Sequence, residues 1–220
     1  MPTSIGFVIG RAEATRAVQQ SLAEKWVWQD KTGDGWATDL AAVQAKQARL
    51  LGLEQDAARA RAEADAAVKD LHNRTVQGLG MARARYRKDP ATLGALAAVD
   101  AKMESRQDAL NDALAWETAW ANVPEADWDP TPTNTRAAFA ALRQAAQAKV
   151  QALNDLVADE RQVRKEFNQL VGELWEDCIA WYEAACLVFP ADTPEGQALR
   201  AGVPAAGSRK PPTPPAPAAP

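Results

Sequence analysis

The residues whose types and spacing could do chemistry are few, and most come up incomplete. Asp30-Lys-Thr-Gly-Asp-Gly-Trp-Ala-Thr-Asp-Leu-Ala41 partly follows a calcium-binding EF-hand loop. Asp30, Thr32 and Asp34 fall at the first, third and fifth positions, Gly35 at the sixth and Thr38 at the ninth. The twelfth position needs a bidentate glutamate and holds Ala41, and a capped turn between helices explains the same residues. A carboxylate-bridged di-metal bundle needs two inward Glu-x-x-His pairs; the only histidine is His72, and the residue three before it is Lys69. His72 is therefore read as a surface or boundary residue. Glu173, Glu176, Asp177 and Glu183 could do acid–base work only if buried with separated pKa values, and they are read as a solvated helix face. The sequence has no phosphate-cradling Gly-rich loop, no Gly-x-Ser-x-Gly and no histidine arrangement for a nucleophilic triad. The expectation is no enzyme, no catalytic set, no cofactor and no metal site.

Cys178 and Cys186, if on one helix, stand about 12 Å apart at ~1.5 Å rise per residue, beyond the roughly 7 Å reach of a disulfide. They read as buried reduced thiols. Arg83-Ala-Arg-Tyr-Arg-Lys88 is the densest basic run. It sits at an expected helix C-terminus, where cations complement the dipole and the last carbonyls; contact with an acidic partner or a phosphate is the alternative.

Tryptophan is the unusual residue, eight against four Phe and two Tyr. Trp26, Trp28 and Trp36 flank one expected interhelical connection, and Trp116, Trp120 and Trp128 flank another. In an up-and-down bundle those connections share an end, so six tryptophans should gather there. Trp116 and Trp120, four apart, share a helical face. The cluster reads either as a plug filling volume left by small alanine side chains, or as a patch for a protein partner or small ligand, since Trp is enriched at binding hot spots. Trp28 and Trp128 are its expected exposed members. A second candidate lies near the end of the last long helix. There Trp175, Ile179, Trp181, Tyr182 and Phe189, with Leu174, Cys178, Ala185 and Cys186, cover about half the helix circumference. That breadth implies either burial on several sides, against Ile5–Ile9 and the second helix, or a self-association surface.

The elements that must position these residues follow from periodicity and breakers. A first helix should begin between Thr3 and Arg11 and run to about Gln29, with a loose stripe of Val8, Ala12, Val18, Leu22 and Trp26; Gly6 and Gly10 weaken its start, where Ile5–Ile9 could be extended. Gly33-Asp-Gly35 reads as the turn after it. Thr38 is the expected N-cap of a second helix, followed by Asp39, reaching toward Lys88 with a weak point at Gly78-Leu-Gly80. Asp89-Pro90 restarts a third helix that carries Leu93, Leu96, Val99, Met103, Leu110, Leu114 and Trp116 to about Asn122. Pro124–Pro132 must be a connection. A long fourth helix from Thr133 or Thr135 to about Phe189 shows the seam Phe139, Leu142, Ala146, Leu153, Leu156, Val163, Phe167, Leu170 and Leu174, in steps of three, four or their sums. Pro190 stops it, and Thr193-Pro194-Glu195 can open one more turn through Arg200.

Composition sets the frame. The 220 residues are 47% hydrophobic, but alanine supplies much of that share, so the core should be thin, with close helix approach. The net charge of −4 disfavours nucleic acid, which recruits a basic surplus, and equally an anionic membrane surface. No apolar run approaches the ~20 residues of a membrane span, and the N-terminus lacks a signal peptide's charge and apolar length, so the expected location is cytoplasmic. The fold class read from all this is all-α. It is expected to be an elongated antiparallel up-and-down bundle of about four helices, two of them long, over residues 1–201, with a disordered Pro/Ala-rich tail over 202–220. The function read from it is a structural or protein-interaction module, self-associating as a homo-oligomer, with no nucleic-acid or membrane partner. The alternative is a small-ligand or metal sensor that uses the Trp-rich end.

Overall fold

A computed structural model of the chain describes residues 4–23, 25–125 and 128–203. Among the described residues there are six α-helices and no strand: α1 Ile5–Leu22, α2 Gly33–Arg85, α3 Pro90–Ala97, α4 Arg106–Ala121, α5 Arg136–Val188 and α6 Pro194–Gly202. The protein is all-α. None of these helices is long and apolar enough to cross a membrane. The chain divides into two compact units, Met1–Gly52 with Arg161–Pro220 (unit 1) and Leu53–Glu160 (unit 2). Of the tail expected over 202–220, Gly202 ends α6 and Val203 is fully buried; residues 204–220 lie outside the described residues.

Local chemistry explains where the helices start. Ser4 caps α1 by accepting from the Phe7 N–H, and Ile5–Ile9 are helical, not extended. Asp89 accepts from the N–H groups of Ala91 and Thr92, with Pro90 at the first helical position of α3. The Thr135 hydroxyl accepts from Ala138 at the start of α5, and Thr193 caps α6 by accepting from Gly196. Each satisfies amide donors that the helix leaves orphaned.

Two expected boundaries are corrected. The first helix ends at Leu22, not Gln29, and the reversal is the four-residue turn Trp28–Lys31, closed by Lys31 N–H to the Trp28 carbonyl at 2.8 Å. Gln29 and Asp30 hold φ of 48° and 61° there, the pair of positive values a type I′ turn requires. Gly33-Asp34-Gly35 is not that turn; it is the first turn of α2, with the Thr32 hydroxyl accepting from Gly35. The N-cap role assigned to Thr38 therefore falls to Thr32, while Thr38 sits inside the helix and bonds the Asp34 carbonyl. α2 then runs unbroken through Gly78-Leu-Gly80.

The second correction reorganises unit 2. The helix expected from Asp89 to Asn122 is split at 98–105, where Ala101 takes a positive φ of 54°. Ser105 restarts the chain by accepting from Asp108 N–H, and the Asp108 carboxylate bonds back to Glu104 N–H. This is a variant of the capping box. α4 consequently runs in the same direction as α2: Arg106 pairs with Asp65 at 2.6 Å, Trp116 lies on Gly78, and Glu125 beyond the helix pairs with Arg85. Arg83, in the basic run, donates to the Leu96 and Val99 carbonyls, so it closes the C-terminal end of α3.

The unit 2 core is formed by Val68, Leu71, Leu79, Ala82 and Tyr86 of α2 and its end, Leu96 and Val99, Ala113, Trp116 and Trp120 of α4, and Phe139, Ala146 and Leu153 of α5. Small residues let the indoles approach the backbone. A Cβ on Gly78 would stand 2.8 Å from the buried Trp116 ring, whereas Gly80 faces open space. Gly80→Ala is thus expected to stabilise the protein by up to about 1 kcal/mol through helix propensity. Gly78→Ala should cost about 1–3 kcal/mol by overpacking, less that propensity gain. Urea unfolding followed by circular dichroism checks the pair, and equal effects would show that Trp116 is free to move aside.

Candidate functional site

Unit 1 contains the most specific polar arrangement. On α1, Arg11, Thr15 and Gln19 are four residues apart, share one face, and are fully buried. Gln19 is a two-way clamp: its Nε2 donates to the Trp26 carbonyl at 2.8 Å, and its Oε1 accepts from Trp181 Nε1 at 2.7 Å. That clamp ties the backbone at Trp26 and the Trp181 side chain to α1 and satisfies the buried indole N–H. The Arg11 guanidinium lies 5.3 Å from the ring centroids of both Trp175 and Tyr182, within cation–π range. Burial lowers its pKa, against the opposing influence of Cys178 and Tyr182. Cys178 is buried and Cys186 half-buried, and both are free thiols. Burial pushes the Cys178 thiol up to about 11, outweighing Thr15 and Arg11, so it is protonated and unreactive at neutral pH.

Beside the Trp28–Lys31 turn lies a groove of about 520 Å³, lined by Asp30, Lys31, Asp39, Glu173 and Asp177 over an apolar floor that includes Val43, Leu170 and Leu174. Lys31 is one of its lining residues. Its ammonium is 2.5 Å from Asp177 and 2.6 Å from Asp39, and 4.1 Å from the Trp36 ring centroid. The turn is thereby pinned to α2 and α5. Burial by itself would lower the Lys31 pKa, but the hydrogen bonds to Asp177 and Asp39 outweigh it and the net shift is upward. A raised folded pKa means that this stabilisation is complete below the ordinary value of 10.5 and is lost as pH rises through the folded value. Lys31→Met is expected to cost about 1–3 kcal/mol at neutral pH. The gap between parent and variant should close above the folded pKa, as read from urea midpoints along a pH series; a gap that persists there would show that Lys31 acts by packing instead.

Among the described residues the tryptophan ring contacts fall into two sets, one in each unit. Trp26, Trp28 and Trp36 belong to unit 1, where Trp28 stacks on Trp36, Trp36 meets Trp181 edge-on, and Trp26 touches Trp181 and Phe189. Trp116, Trp120 and Trp128 belong to unit 2, stacked or edge-on among themselves and against Tyr86 and Phe139. Within unit 2, the break at 98–105 returns α4 to the Tyr86 end of α2, which brings Trp120 and Trp128 toward Tyr86. Trp36, Trp116 and Trp120 are buried; Trp26, Trp28 and Trp128 are half-buried. The broad face of α5 is likewise largely enclosed. Trp181 is fully buried and Phe189 nearly so, which places both in the interior of unit 1, not on a surface. Trp175, packed on Phe7 at 5.8 Å, Ile179 and Tyr182 are half-buried.

No family model, curated protein or solved structure matches the chain.

The remaining sequence candidates resolve simply. Because α2 begins at Gly33, the EF-hand-like run from Asp34 to Ala41 is helical and cannot wrap an ion. Glu173, Glu176 and Glu183 are exposed, and Asp177 pairs with Lys31. Among the described residues no three His, Cys, Asp or Glu side chains are grouped as a metal site would need. His72 is half-buried. Arg11, Gln19 and Lys31 were not singled out from sequence. The spacing of Arg11, Thr15 and Gln19 was a usable signal, since three polar residues at steps of four, starting one position before Ala12, interleave with the apolar stripe. Lys31 carried none, because one of its two carboxylate partners lies 146 positions away.

Proposed function

We propose that this protein is a protein-interaction module that associates with itself, and that the contact surface is the C-terminal end of α5. The observation that carries this reading is Leu187, 86% exposed, beside Val188 at 48%. Val27, also exposed, follows Trp26, whose ring meets Phe189, so it belongs to the same end of unit 1. Single exposed apolar residues are ordinary on a protein surface; two that adjoin in sequence at a helix end, one of them almost fully exposed, support an interface. In the same unit the Trp181 indole is held by Gln19 and packs on Trp26, whose ring meets Phe189, the residue after Val188. Interaction is favoured over ligand sensing because both tryptophan clusters are packed ring against ring, and the groove lining includes no tryptophan.

The test is sedimentation velocity of the full chain across a wide concentration range, with the double variant Leu187→Asp, Val188→Asp. The parent should sediment faster as concentration rises, and the variant should remain monomeric with an unchanged far-UV spectrum. A parent that stays monomeric throughout, or a variant that associates equally well, overturns the reading.

A further inference from the structure

We draw no further inference here: the strongest candidate, the acidic groove of unit 1 lined by Asp30, Asp39, Glu173 and Asp177, carries nothing because Lys31 already pairs with Asp39 and Asp177 in it and nothing in the structure shows a further ligand.

Discussion

Trp181→Ala should be the most damaging single change in unit 1. The indole is fully buried, lies 6.1 Å from the Trp26 ring and 6.5 Å from that of Trp36, and donates to Gln19. Truncating a buried Trp costs about 3–5 kcal/mol through lost transfer energy and the cavity left behind. The Gln19 oxygen would also be orphaned in the interior, adding about 1–3 kcal/mol. Against a typical domain stability of about 5–15 kcal/mol, that sum is a large share of the whole. Urea unfolding followed by far-UV circular dichroism measures it without relying on indole fluorescence. Trp181→Phe separates the two contributions, since it keeps most of the ring and removes the N–H; its cost should be about 1–3 kcal/mol. Gln19→Leu combined with Trp181→Phe should cost less than the sum of the singles, because both remove one shared bond. A Trp181→Ala protein within about 0.5 kcal/mol of the parent, as surface changes usually are, would show that the clamp does not hold the unit together.

Gly196→Ala is expected to release α6. A Cβ there would overlap the carbonyl of Pro190 and crowd that of Phe189. These are backbone atoms and cannot step aside. The Pro190 carbonyl is fixed by Thr193, through its N–H at 3.1 Å and its hydroxyl at 2.7 Å, and Arg200 bonds the Phe189 carbonyl at 3.2 Å. Relief requires the helix to move, and Leu199 and Val203, both fully buried, would move with it. Each such side chain contributes about 1.5–3 kcal/mol by burial, so a loss of about 3–5 kcal/mol is expected. Helix propensity alone predicts the opposite sign, a gain of up to about 1 kcal/mol. Amide exchange across Pro194–Gly202 reads the release directly. Retained protection together with raised stability would mean that the α5–α6 turn can open without cost.

Much of the secondary structure was legible in the sequence because it is decided locally. Asp89-Pro90, Thr135 and Thr193-Pro194 carry their capping chemistry within three residues, and the 53-residue helix α5 shows its seam from Phe139 to Leu174 in its own periodicity. The Ser105-Arg-Gln-Asp108 cap that opens α4 is equally local.

The exposure of Leu187 and Val188 was invisible for a different reason. They extend the same apolar run as Trp181 and Phe189, and burial depends on which neighbours α1 and α6 supply. The enclosed polar groups follow the same rule. Gln19 is an ordinary helix residue until Trp181, 162 positions away, provides the N–H that makes its burial tolerable. Composition and local spacing thus determined an all-α protein, most of its helix starts and its tryptophan excess. Which indoles meet, where the Lys31 charge rests and which apolar residues stay outside were decided only by tertiary packing, because hydrogen bonds, ion pairs and burial depend on spatial neighbours and not on distance along the chain.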